Sequence, residues 1–275
     1  MADEVESTQD EDIYAPSTDW TPQYVRFAVD KGIASITLSR PPANVLSIEA
    51  MEDVNRALES LEFQRDVKLI VLRGEGKYFS AGLELNDHLG DRGYVMLEQC
   101  RRIFDNLAKT DKPSLSIVAG PALGAGSLLA AACDFCLAGA QNAKFGHPEI
   151  KGGIFNVIAA ALLPKLIGRK RAYEMLFGGV SIVAGEAERI GLITRAVPDD
   201  KLEAEAAVII QRFQEMSATV AQFTRAAVAG ALDHPFSDAV QHAENVYLNQ
   251  LMASEDAAEG LRAIMEKRKP VWKDR

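Results

Sequence analysis

Apolar and polar positions alternate through residues 24–29 and again through 33–38, and Asp30-Lys31-Gly32 lies between the two runs. That pattern predicts a hairpin of antiparallel strands. Arg40-Pro41-Pro42-Ala43-Asn44 then breaks the strand, and Ser47 ahead of Ile48-Glu49-Ala50 predicts a capped helix running to about Leu61, with Met51, Val54, Leu58 and Leu61 at helical spacing. Continuous apolar runs at 67–72 and 114–118 end at Gly74-Glu75-Gly76 and Gly120-Pro121, the pattern of buried strands, and a helix is expected between them at 94–107. A helix of small residues beginning near Gly124 leads into a third buried strand at 135–138. Strand, helix and strand in alternation predict an α/β core. From residue 157 onward the periodicity is helical, at 157–167, 170–177, 184–190, 202–216, 218–231, 236–252 and 255–267. The expected organisation is an acidic flexible tail at 1–20, an α/β core at 21–215 and a helical C-terminal extension at 216–275 that packs on the core or on a neighbouring subunit.

Composition narrows the partners. With 275 residues, 48% of them hydrophobic, the chain can bury a sizeable core, and its net charge of −9 argues against nucleic acid or an anionic membrane as the main partner. The most apolar stretch, 127–140, contains Asp134 and is too short to span a bilayer, and residues 1–12 lack the basic start and apolar run of a secretory signal. The three cysteines, Cys100, Cys133 and Cys136, are an odd set without metal-type pairing, which fits a reducing cytoplasm. His234 and His242 have no zinc-like spacing to cysteine or acid. Neither a metal nor a separate cofactor is expected.

Two glycine-containing turns each follow a buried strand: Tyr78-Phe79-Ser80-Ala81-Gly82-Leu83 and Gly120-Pro121-Ala122-Leu123-Gly124-Ala125-Gly126-Ser127. Small residues let the backbone approach a ligand, and the second turn opens a helix whose first N–H groups have no internal acceptor. Such donors suit an enolate or tetrahedral oxyanion, each typically contributing roughly 3 kcal/mol to the transition state. The same glycines also serve ordinary strand-to-helix connections. A nucleotide-phosphate loop fits poorly: there is no Gly-x-x-x-x-Gly-Lys-Ser/Thr, and Gly124-Ala125-Gly126 lacks the downstream spacing of a dinucleotide fingerprint.

RPPANVLS, YFSAGLEL, VAGPALGAGSLLAAACD, AKFGHPEIKGGI and AGEAERIGLITRAVP occur in this order, and together they resemble the crotonase, or enoyl-CoA hydratase/isomerase, superfamily from about Tyr24 to the C-terminus. AKFGHPEI and the closing LMASEDAAEGLRAIMEKRKPVWKDR are most similar to the cyclohexa-1,5-dienecarbonyl-CoA hydratases within it. The resemblance implies a ββα spiral core with a helical extension, an acyl-CoA substrate, and a homotrimer or a dimer of trimers. It implies an oxyanion hole formed by the backbone N–H groups of Leu83 and Ala125, with Ala81, Gly82, Gly124, Gly126, Leu128 and Asn156 around the substrate. Glu149, in His147-Pro148-Glu149, matches the family's acid/base position. A carboxylate in an apolar pocket has its charged form disfavoured, a condition that suits proton exchange. Where family members that use two glutamates carry the second, this chain has Leu128. Lys267 and Lys269, flanking Arg268, match the basic region that meets the coenzyme A phosphates, and they also suit a helix C-terminus.

Three readings follow. The first is an acyl-CoA lyase that hydrates an unsaturated, in its finer form alicyclic dienoyl, thioester through a stabilised enolate. The second is an enoyl-CoA isomerase that shuttles a proton with Glu149 alone, and the third a CoA-binding protein of weak activity. Ser127, Asn156 and His147 could position water, and His88 could exchange protons, since imidazoles titrate near neutrality. Glu84, Asp87 and Asp91 read as exposed loop acids.

Overall fold

The opening hairpin is present: in the computed structural model, which describes residues 20–274, β1 (Val25–Asp30) pairs antiparallel with β2 (Ile33–Leu38). The expected tail lies outside the described residues apart from Trp20, whose indole N–H donates to Asp53 on the next helix at 3.0 Å. That helix, α1 (Ile48–Ser60), starts where Ser47 accepts a hydrogen bond from the Ala50 N–H. There follow β3 (Leu69–Gly74), α2 (Arg92–Lys109), β4 (Ser114–Val118), β5 (Ala122–Leu123), α3 (Ala125–Ala131), β6 (Phe135–Gly139) and β7 (Lys144–Gly146). Next come α4 (Val157–Gly178), β8 (Ser181–Val183), α5 (Ala184–Arg189) and β9 (Arg195–Val197), and then α6 (Leu202–Glu215), α7 (Ala218–Ala231), α8 (Phe236–Asn249) and α9 (Glu255–Glu266).

The larger sheet has the order β1-β2-β3-β4-β6-β9 and is parallel from β2 onward. The smaller has the order β5-β7-β8. β3 shows why the central strands read as unbroken apolar runs. Ile70 and Leu72 enter one core with α1, α2 and α3, whereas Leu69 and Val71 enter a second with α6 and α7, so both faces are covered. Each such side chain stabilises the fold by about 1.5–3 kcal/mol through burial. The strands that the sequence pattern does not reveal, β5, β7, β8 and β9, are two or three residues long, too short to establish a period. The two helices expected at 157–167 and 170–177 lie end to end as α4, interrupted at Gly168, whose backbone is non-helical (φ 75°, ψ 157°).

The C-terminal helices are tied to the core by polar contacts. The Gln222 amide donates to the carbonyls of Arg65 and Val67, and Arg225 joins Asp134 to the carbonyls of Leu107 and Thr110. Among the described residues, no helix is long and apolar enough to cross a membrane.

The segment between β2 and α1 matters most for the site. Asn44 sits at φ 50°, a conformation Asn tolerates better than most residues, and is 2% exposed. Its amide donates to the carbonyls of Glu75, Tyr78 and Phe79 (2.9, 2.8 and 3.3 Å), and its own carbonyl accepts from the Ser80 hydroxyl at 2.7 Å. One side chain therefore fixes the path of the loop that leaves β3. Asn44→Ala leaves those carbonyls without their donor, so it is expected to lower unfolding free energy by about 2–4 kcal/mol in urea denaturation.

Candidate active site

The first glycine turn is held on both sides. The Phe79 N–H donates to Pro121 O (3.0 Å) and the Leu123 N–H to Ser80 O (2.8 Å), while the Ala81 N–H donates to Ala43 O (2.9 Å). Leu46 donates to Gly82 O and accepts from the Glu84 N–H, at 2.8 and 3.0 Å. In this parallel bridge the Leu83 N–H points away from Leu46, and among the described residues it meets no acceptor. The second turn is fixed by the Gly124 N–H, which donates to Gly146 O at 2.8 Å. Ala125 begins α3, so its N–H has no acceptor within the helix.

The two turns touch. A Cβ on Gly82 (φ 98°) would lie 3.0 Å from Leu123 O and 3.6 Å from Ala125 N. A Cβ on Gly124 (φ 54°) would lie 2.6 Å from Glu149 Oε1 and 3.7 Å from the Gly82 Cα. Close approach at these two positions brings the backbone at Leu83 and Ala125 and the carboxyl of Glu149 into one place.

Beside them lies a cleft of about 560 Å³ with a mainly apolar wall. Leu85 and His88 from the 3-10 turn Leu85–His88, Tyr94, Met96, Leu97 and Cys100 from α2, and residues 152–158 at the start of α4 complete it. Burial pushes the Cys100 thiol up to about 12, which leaves it protonated and poorly nucleophilic.

Glu149 follows Pro148 in the 3-10 turn Pro148–Gly152, and its side chain is 18% exposed. Its Oε1 accepts from the Asn156 amide at 2.9 Å. The same Asn156 caps α4, its Oδ1 accepting from the Ala159 N–H at 3.0 Å. Oε2 is enclosed and has no hydrogen-bond partner among the described residues, and the Nδ1 of His147 stands 4.0 Å from it. His147 is 1% exposed. Burial lowers its pKa, and the nearby Glu149 charge opposes the shift only in part, so the ring is neutral.

The other expected site residues divide. Ala81, Gly82, Leu83, Gly124, Glu149, Asn156 and His88 line the cleft. Leu128 is wholly enclosed in the core, Gly126 packs against Ser80, and the Ser127 hydroxyl is buried without a partner among the described residues. Asp87 is not the exposed acid expected: it is 2% exposed, accepts from the Ile48 N–H and pairs with Arg92. Glu84 pairs with Arg40 and is also half-buried, because this loop folds back on the segment after β2. Lys267 caps α9 in a left-handed conformation, and neither it nor Lys269 lines the cleft, while Arg268 is committed to Glu259 and Glu266. His242 lies 3.3 Å from Ala226 O between α7 and α8. Among the described residues, no group of three or more His, Cys, Asp and Glu side chains is arranged to hold a metal. The sequence reading missed Asn44, and it assigned Asn156 to substrate without its hold on Glu149. An Asn directly before the apolar run of α4 is a cap signal that could have suggested a fixed, inward amide.

The chain matches the family model described as Enoyl-CoA hydratase/isomerase over residues 28–275. It is 34% identical over 250 residues to "Probable enoyl-CoA hydratase echA8" of Mycobacterium bovis, covering 90% of this chain and 96% of that protein. It is 32% identical over 247 residues to a protein of Thauera aromatica named cyclohexa-1,5-dienecarbonyl-CoA hydratase, covering 90% and 95%. Its fold superimposes on the crystal structure of an enoyl-CoA hydratase from Bacillus anthracis with a TM-score of 0.86 at 26% identity, covering 92% of this chain and all of that one.

Two measurements probe this geometry. Gly124→Ala forces a side chain into a backbone region reserved for glycine and against Glu149, and it is expected to cost about 1–3 kcal/mol in urea denaturation. Because His147 is neutral when folded and takes up a proton when unfolded in acid, stability should fall as pH drops below about 6.5. His147→Gln cannot titrate and should flatten that part of a series of thermal melts.

Proposed function

Because the chain belongs to the enoyl-CoA hydratase/isomerase family, an enzyme family that acts on acyl-CoA thioesters, we propose that it hydrates an unsaturated acyl-CoA. The observation that carries this reading is the contact of the two glycine turns beside the Glu149 carboxyl. With the thioester oxygen facing the Leu83 and Ala125 N–H groups, water adds its oxygen to the electrophilic alkene carbon and gives a proton to Glu149. The π electrons move onto the thioester oxygen as an enolate, which the two donors stabilise. Glu149 then returns the proton to the α-carbon, the enolate collapses to the thioester, and the carboxylate is restored.

An alicyclic dienoyl group is the finer proposal for the acyl part. The similarity to the Thauera aromatica protein supports it, as does a mainly apolar cleft of about 560 Å³ whose lining includes Tyr94 and Phe155. Isomerisation is the second reading, favoured by one observation: Glu149 is the only carboxylate among the cleft-lining residues described. In that case Glu149 takes a proton from one carbon and returns it to another. We further propose a cytoplasmic homotrimer or dimer of trimers in which Lys267 and Lys269 meet the phosphates of coenzyme A. Exposed Phe236, Leu248, Ile264, Met265 and Val271 on and after α8 and α9 support self-association.

A panel of enoyl- and dienoyl-CoA thioesters in ¹⁸O-labelled and deuterated water, with mass detection, separates the readings. Incorporation of ¹⁸O into product is expected. Double-bond migration with deuterium exchange and no ¹⁸O establishes isomerisation instead. Glu149→Gln should lower kcat by roughly 100- to 10,000-fold while acyl-CoA binding is retained, and full turnover by that variant overturns the assignment of Glu149.

A further inference from the structure

His147 combines three properties that packing alone does not require. It is almost fully enclosed, neither ring nitrogen has a hydrogen-bond partner among the described residues, and Nδ1 faces the equally unpartnered Oε2 of Glu149 at 4.0 Å. A buried donor or acceptor left unsatisfied is destabilising, and an apolar side chain of similar size would fill the same space without that cost. The separation exceeds a hydrogen bond by about 1 Å, the looseness often found in substrate-free catalytic sites.

We propose that His147 is a positioning residue: when substrate is bound, its Nδ1–H donates to the inner oxygen of Glu149. The carboxylate is then held at both ends, by His147 on Oε2 and by Asn156 on Oε1. Oε1, the oxygen beside Gly124, keeps its second lone pair toward the reacting carbons. The inference rests on the reading of Glu149 as the proton-transfer group.

The electrostatics are simple. Of the charged side chains on the elements around the ring, Lys144 on β7 and Lys151 in the 3-10 turn are exposed. Glu186 and Arg189 on α5 pair with each other, and Glu188 accepts from the Ala196 N–H. Among the described residues, only Glu149 acts on the imidazole, whose neutral state leaves it one N–H to direct.

The test compares His147→Leu, His147→Asn and Glu149→Gln, using crotonyl-CoA and cyclohexa-1,5-dienecarbonyl-CoA as substrates and butyryl-CoA, which has no double bond, as the binding probe. His147→Leu is expected to lower kcat about 10- to 100-fold, because misplacement of a reacting group by 1 Å can cost that much. KM and butyryl-CoA affinity should stay unchanged, and the acid limb of kcat/KM should move to higher pH, since the ionised base loses a donor. His147→Asn places an amide N–H near the position of Nδ1 and should restore most of kcat. If His147→Leu keeps both kcat and the acid limb while Glu149→Gln is inactive, His147 has no such role and the assignment of Glu149 survives. If His147→Asn is as impaired as His147→Leu, the residue serves packing and the proposal fails. Full turnover by Glu149→Gln defeats both. Should His147→Leu not fold, ¹⁵N NMR of the histidines in the wild-type protein with butyryl-CoA bound decides: a neutral Nδ1–H tautomer is expected, and an imidazolium or an Nε2–H tautomer overturns the proposal.

Discussion

Backbone contact between two loops that are far apart in sequence is the constraint on which the site depends. Each loop leaves the C-terminal end of a parallel strand, β3 or β4, and the two strands are neighbours in the sheet. Adjacency of the strand ends places the loops side by side, but contact also needs each backbone to present no side chain where they meet, at Gly82 and Gly124. Hydrogen bonds then take over. Pairing through Phe79, Ser80 and Leu123 binds the loops to each other, and Leu46 holds the outer edge of the first. With these acceptors and donors consumed, the N–H of Leu83 is left pointing outward. Preorganised donors are effective because they need no rearrangement as charge develops on a ligand oxygen.

The side to which proton handling is proposed is built on a different principle. Glu149 sits on a short 3-10 turn, a less regular support than a strand or a long helix, and depends on neighbours for its orientation. Asn156 supplies one of them and is itself fixed by its bond to the first turn of α4. The carboxylate is therefore oriented by the cap residue of a helix, seven residues downstream. The mainly apolar wall of the cleft lies beside it.

Much of this was legible in the sequence because the informative features are local. Alternation at β1 and β2, unbroken apolar runs at β3, β4 and β6, and helical spacing from α4 onward each span enough residues to establish a period. The glycine turns were legible as candidate donor sites for the same reason, whereas Glu149 stood out only through the resemblance of its segment to the family's acid/base position. Pairings across long separations were not. Asn44 reads as a loop residue until the three carbonyls it holds, some thirty residues on, are brought beside it. Leu128 reads as a substrate contact by motif position, yet α3 turns it into the core, since a helix presents only some of its side chains to any one neighbour. Asp87 reads as an exposed acid, and only the folded loop shows that it receives the first free N–H of α1 and pairs with Arg92.

The double use of Asn156 has an evolutionary corollary. An amide that both starts a helix and steadies a carboxylate ties folding and the proposed chemistry to one codon, so neither trait can drift there without the other. Substitutions at 149 and 156 should then be epistatic. A change from Asn to Ser or Asp, harmless as a helix start, would still withdraw the N–H that Glu149 accepts, and the tolerated alphabet at this position is narrower than either task alone would set.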